Sequence, residues 1–148
     1  MFVGSPEDVS ESIESRREHT MSNPIDRFLE AVRTAGFADT DVFADDAVSD
    51  STPPNWRLQV RGAGELRAQY AKWFDHPAEF TELRRTPLPD GELLEYTRSW
   101  TQDGVPHKAH HIHRLTIATA KIVEDAHWCG GRWPESLLEE IAAAGHNV

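Results

Sequence analysis

The sequence predicts an α+β domain in which a few helices cover an antiparallel sheet. Three observations carry that expectation. Four strand-like stretches, residues 78–86, 92–102, 107–118 and 121–129, follow one another with no helical segment between them. Parallel neighbours would need long crossovers, so such a run implies antiparallel pairing. Asp103-Gly104 separates two of these stretches, and both residues tolerate the positive φ of a two-residue hairpin turn. The chain has 148 residues, 39% hydrophobic and 27% charged, which suits one globular domain and is too short for two ordinary ones.

The elements follow in order. Residues 1–22 are polar and rich in Ser, Glu and Arg, and read as a loose helix or an arm; the domain proper is expected over 23–146. Ser22-Asn23-Pro24 opens the first firm helix, with Pro where its missing N–H costs nothing. Ile25, Phe28, Leu29 and Val32 repeat at helical spacing and give it one apolar face; Gly36 ends it. A short second helix is expected over 39–44, capped by Asp39 or Thr40. Residues 47–52 and 57–61 read as short strands separated by Pro53-Pro54. A helix over 65–74 carries Leu66, Tyr70, Trp73 and Phe74 on one stripe, and the four strands follow it. A last helix begins after Trp133-Pro134, with Leu137, Leu138 and Ile141 on one face.

Charge excludes several function classes. The net charge is −10 and the pI about 5.2, so nucleic acid and anionic membrane surfaces would be repelled. The only Arg clusters are the pairs Arg16-Arg17 and Arg84-Arg85. One cysteine, Cys129, permits no intrachain disulfide. No stretch is apolar enough for a signal peptide or a membrane span, and the protein reads as cytoplasmic. Gly62-Ala63-Gly64 lacks the spacing and the lysine of a phosphate loop.

A two-residue turn at Asp103-Gly104 sets cross-strand partners: Trp100 opposite His107, Arg98 opposite Ala109, Tyr96 opposite His111 and Leu94 opposite His113. Partners share a sheet face. One face then carries Leu94, Tyr96, Arg98, Trp100, His111, His113, Leu115 and Ile117, and its apolar bulk assigns it to the helix-covered interior. Histidines here support three readings. His111 and His113 with a third ligand, Glu124 or His127, could hold a metal. One neutral imidazole could act as general base or donor. All could be hydrogen-bonded core residues. Asp50, near apolar Trp56, is a candidate base with a raised pKa; a solvated strand-end acid is the alternative. Tyr96 and Arg98 are candidates to steady a developing oxyanion. Trp100, Trp56, Tyr70 and Trp73 are candidates to line a ligand pocket. Asp125, His127 and Cys129 alternate on the last strand, opposite in parity to Ile122, Ala126 and Trp128, and a bulge would swap the two sets.

Phe43-Ala44-Asp45-Asp46-Ala47 before a strand, Gly62 and Gly64 before a helix at Glu65, and Ala120-Lys121-Ile122 entering the last strand occur together in an order that resembles the nuclear-transport-factor-2-like (SnoaL-like) superfamily. The resemblance spans about residues 24–133. It implies a conical barrel, a curved sheet wrapped around helices, whose mouth admits small apolar molecules. It places His127 inside. It also implies a homodimer through the outer sheet face, which here is polar (Glu95, Thr97, Lys108, Arg114). Members include isomerases, dehydratases, cyclases, epoxide hydrolases and non-catalytic binders, so fold leaves function open. Leu94, Tyr96 and His127 stand where the epoxide hydrolases carry Arg-x-Asp and Asp. Asp50 is one residue out of register with the steroid isomerases' general base. The expected function is cofactor-free acid/base chemistry on a small apolar oxygenated ligand, by His111, His113, Asp50, Tyr96 and His127 with Arg98. The alternatives are a binder without turnover and a protein-interaction module.

Overall fold

A computed structural model describes residues 23–148; the polar segment 1–22 lies outside them. Helix α1 spans Pro24–Thr34. The Asn23 side chain accepts from the Ile25 N–H at 2.8 Å, and Ala35 leaves the helix at φ 59°. Ile25, Phe28 and Val32 are fully buried. The helix expected over 39–44 does not form. A single 3₁₀ turn, Phe37–Asp39, is followed by strand β1, Phe43–Thr52. Parallel pairing of Phe43 with Ile122 takes the end of that stretch into the sheet, a long-range contact that overrides local helical preference.

Strand β2 is Leu58–Arg61 and helix α2 is Ala63–Trp73. Four longer strands follow: β3 Glu79–Leu88, β4 Gly91–Gln102, β5 Val105–Ala118 and β6 Lys121–Pro134. Helix α3, Glu135–Ala143, closes the chain with no buried residue. The six strands form one curved sheet in the order β2-β1-β6-β5-β4-β3. Every neighbouring pair is antiparallel except β1 with β6, which is parallel. The sheet is therefore mixed where the run of strands alone predicted antiparallel pairing throughout.

One face of the sheet is covered by α1 and α2. Phe28, Phe37, Phe43, Tyr70 and Phe74 meet there, with Phe28 and Phe37 edge-on at 5.2 Å and Phe43 and Tyr70 at 5.5 Å. Each such side chain contributes about 1.5–3 kcal/mol by leaving water. The hairpin register is the expected one: Trp100–His107, Arg98–Ala109, Tyr96–His111 and Leu94–His113 pair. On β6 a bulge changes the parity. Thr116 pairs with Glu124 and the next residue, Ile117, with Ile122, so Val123 is extra. Ile122 and Asp125 consequently both face inward, each with no exposed surface.

Candidate functional site

Register assembles the site. Asp125 pairs with Ser49 and His127 with Ser51 across the parallel β1–β6 ladder. His113 pairs with His127 across β5–β6, and Tyr96 with His111 across β4–β5. Partners share a face, so four strands deliver Ser49, Ser51, Tyr96, Arg98, His111, His113, Asp125 and His127 to the interior. All eight are buried. Helix α2 adds Tyr70 from above and Trp73 at the edge.

These side chains form a chain of hydrogen bonds whose direction is fixed from both ends. Guanidinium nitrogens only donate, so Arg98 Nε gives its proton to His111 Nε2 at 3.1 Å. His111 Nδ1 must then donate to His127 Nε2, 2.9 Å away. His127 Nδ1 donates in turn to Ser51 Oγ at 3.3 Å. At the other end Tyr70 donates its hydroxyl proton to Asp125 Oδ2 at 2.5 Å. The Tyr70 oxygen is left to accept from Ser49 at 2.9 Å, and Ser49 to accept from Ser51 at 3.1 Å. Ser51 thus accepts from His127 and donates to Ser49, and the two directions agree. A branch runs from the Tyr96 hydroxyl to His113 Nε2 at 2.9 Å, and from His113 Nδ1 to Asp125 Oδ2 at 2.9 Å. A cation thus stands at one end of a buried polar chain and a carboxyl group at the other.

Electrostatics follow from burial. Desolvation holds the His111 and His127 pKa values well below the usual histidine value, helped by their mutual proximity to other imidazoles and to the Arg98 charge. Both rings are neutral at neutral pH. Desolvation also raises the Tyr70 and Tyr96 hydroxyls well above 10 and the Cys129 thiol above 9. Burial lowers Arg98 to about 10.

The nitrogens of His111, His113 and His127 lie within 4.8 Å of one another, a spacing a metal ion could bridge. Ring orientation argues against it here. The His113 and His127 rings are stacked, 4.2 Å between centroids and 3° between planes. An imidazole binds a metal through an in-plane lone pair, and two parallel planes share no point. The Arg98 charge beside His111 further opposes a cation.

Beside this network lies a cavity of about 350 Å³ lined by Pro53, Pro54, Trp73, Arg98, His111, His127, Cys129, Gly131 and Arg132. Tyr70, Tyr96 and His113 lie behind this lining, deeper in the network. Trp100 lies under Arg98, whose guanidinium carbon is 4.2 Å from the ring centroid. Asp50 is elsewhere. Its neighbours Ser49 and Ser51 point inward, so parity turns it outward, where Arg57 binds it at 2.8 and 3.1 Å and Gln59 at 3.1 Å. Those hydrogen bonds hold its carboxyl below the usual range, opposite to the raised value expected from the sequence. Trp56 is 73% exposed and is not part of the cavity lining. Sequence reasoning did not single out Ser49, Ser51 or Asp125 as site groups. Their alternation with outward Asp50 and Ala126 was the available signal, but it needed the β1–β6 pairing to be read.

This cone of curved sheet around two helices is the nuclear-transport-factor-2-like fold. No protein-family model and no curated protein matches the sequence. Solved structures carry the comparison. A nuclear-transport-factor-2-like protein from Anabaena variabilis superposes with a TM-score of 0.63 at 12% identity, over 88% of this chain and 96% of that one. A Bacillus subtilis protein named as a proposed isomerase gives 0.62 at 11% identity, over 87% and 98%. A phenazine biosynthesis-related protein from Pseudomonas aeruginosa gives 0.54 at 13% identity, over 95% and 93%. At these identities the likeness establishes the fold alone. Among the described residues, no helix is long and apolar enough to cross a membrane.

Proposed function

We propose that the cavity binds a small apolar molecule bearing an oxygen function and that the protein moves a proton on it without a cofactor, in an isomerisation, dehydration or cyclisation. The observation that carries this reading is the polarised chain from Arg98 through His111 to Asp125, which opens on the cavity at its cationic end. A ligand oxygen attracts the Arg98 guanidinium, which loosens its contact with His111 Nε2 and frees that lone pair. A proton lost from ligand carbon enters there. His111 then passes its Nδ1 proton to His127, His127 its Nδ1 proton to Ser51, and so on through Ser49 and Tyr70 to Asp125. Each intermediate group gains one proton and loses one. The negative charge left on the ligand oxygen faces Arg98, and proton return along the same path completes an isomerisation. Tyr96 supports the branch to His113 and does not reach the ligand directly.

The test is hydrogen exchange. A panel of small apolar ketones, with and without a carboxylate group, incubated with the protein in D₂O is followed by proton NMR for loss of C–H signals. Exchange on at least one member, abolished by His111→Ala with ligand binding retained, is the expected result. Binding without exchange on any member would instead establish the non-catalytic binder. One observation favours that second reading: every ring nitrogen of His111 and His127 is already engaged in the resting structure.

A further inference from the structure

Arg98 is 1% exposed, and its Nη1 has no hydrogen-bond partner. Its other nitrogens reach only neutral acceptors, Nε the ring of His111 and Nη2 the Trp73 carbonyl at 3.2 Å. No described carboxylate forms a salt bridge with it. A second guanidinium, Arg132, also lines the cavity and packs on the same Trp100 ring at 4.9 Å. Its ion pair with Asp75, at 3.2 Å, lies on a partly exposed surface. Pro53, Pro54 and Trp73 form the apolar wall, His111, His127, Cys129 and Gly131 complete the lining, and the lining contains no acid. An isolated buried charge is costly unless paired, and a neighbouring second cation adds to that cost. The complement missing from this wall is negative.

Resting on the small-ligand reading of the same cavity, we propose that the natural ligand is a compact apolar monocarboxylate, its carboxylate held at the Arg98 and Arg132 side of the cavity and its hydrocarbon body against Pro53, Pro54 and Trp73. One unpaired buried guanidinium matches one negative charge. A ligand with several charges would leave the excess against apolar walls. Guanidinium and carboxylate also match in shape, which favours Arg as the receptor.

Calorimetric titration at neutral pH tests this with benzoate and cyclohexanecarboxylate against benzamide and cyclohexanecarboxamide. At least one carboxylate should bind about tenfold tighter than its amide. Arg132→Gln, at a partly exposed site that tolerates change, should reduce that preference. Arg98→Met should remove it, and the wild-type acid–amide comparison stands even where that variant fails to fold. Equal affinities for acid and amide, no measurable carboxylate binding, or a preference unchanged in Arg132→Gln and Arg98→Met would each overturn the proposal. These are equilibrium measurements and do not depend on turnover. Acid preference persisting in a protein that exchanges no ligand C–H would sink the catalytic reading alone.

Discussion

Asp125 and Asp50 are both carboxylates on strands of one sheet, yet replacing each by asparagine has different consequences. Asp125 is fully buried and accepts from Tyr70 and His113. An amide nitrogen in place of one oxygen would meet a donor. Asp125→Asn should therefore destabilise the protein by about 1–3 kcal/mol, measured by urea denaturation, and should slow any ligand C–H exchange. Asp50 is bound on the outer face by Arg57 and Gln59. Asp50→Asn should leave the urea midpoint nearly unchanged, as for other exposed ion pairs, and should not affect exchange. Loss of exchange in Asp50→Asn would restore it as a candidate base.

The elements owe their geometry to two backbone features. The first is the β6 bulge. Without Val123, Ile122 and the pair Asp125 and His127 cannot all face inward, because side chains alternate strictly along a regular strand. Deleting Val123 should cost about 2–5 kcal/mol, the range for losing a large buried aliphatic side chain, and should abolish ligand binding; a stable deletion variant that still binds would contradict the bulge's role. The second is the close approach at Gly91, where β4 begins. A Cβ there would lie 1.7 Å from the Leu115 carbonyl oxygen, so Gly91→Ala must separate β4 from β5. Gly104 has nothing within 4 Å of such a Cβ. Denaturation midpoints should fall far more for Gly91→Ala than for Gly104→Ala, whose cost is confined to its φ of 77°.

At the scale of the molecule, the buried imidazoles couple folding to pH. His111 and His127 have depressed pKa values when folded and ordinary ones, near 6.5, when unfolded. Below about pH 6.5 the unfolded chain therefore binds more protons than the folded one, and stability falls as pH falls toward the depressed values. With both rings contributing, the slope should approach about 2.7 kcal/mol per pH unit. Urea denaturation between neutral pH and mild acid checks this. His127→Phe, which removes one titrating group, should flatten the curve; an unchanged slope would mean that other groups set it.

Side-chain parity around Asp103-Gly104 was legible because a two-residue turn leaves no freedom in register. Tyr96, Arg98, His111 and His113 could be assigned to one interior face from the sequence alone. So could the apolar face of α1 and the α+β class, each of which follows from local periodicity. Outside that reach lay the start of β1 at Phe43, inside the stretch expected to be helical, the parallel β1–β6 ladder and the Val123 bulge. Those three features bring Ser49, Ser51 and Asp125 to the histidines and turn Asp50 away. Local pattern determines which residues share a face, since that depends only on neighbours along the chain. Which distant strands lie side by side is decided by burial of the whole core, a balance to which no short stretch of sequence is privy.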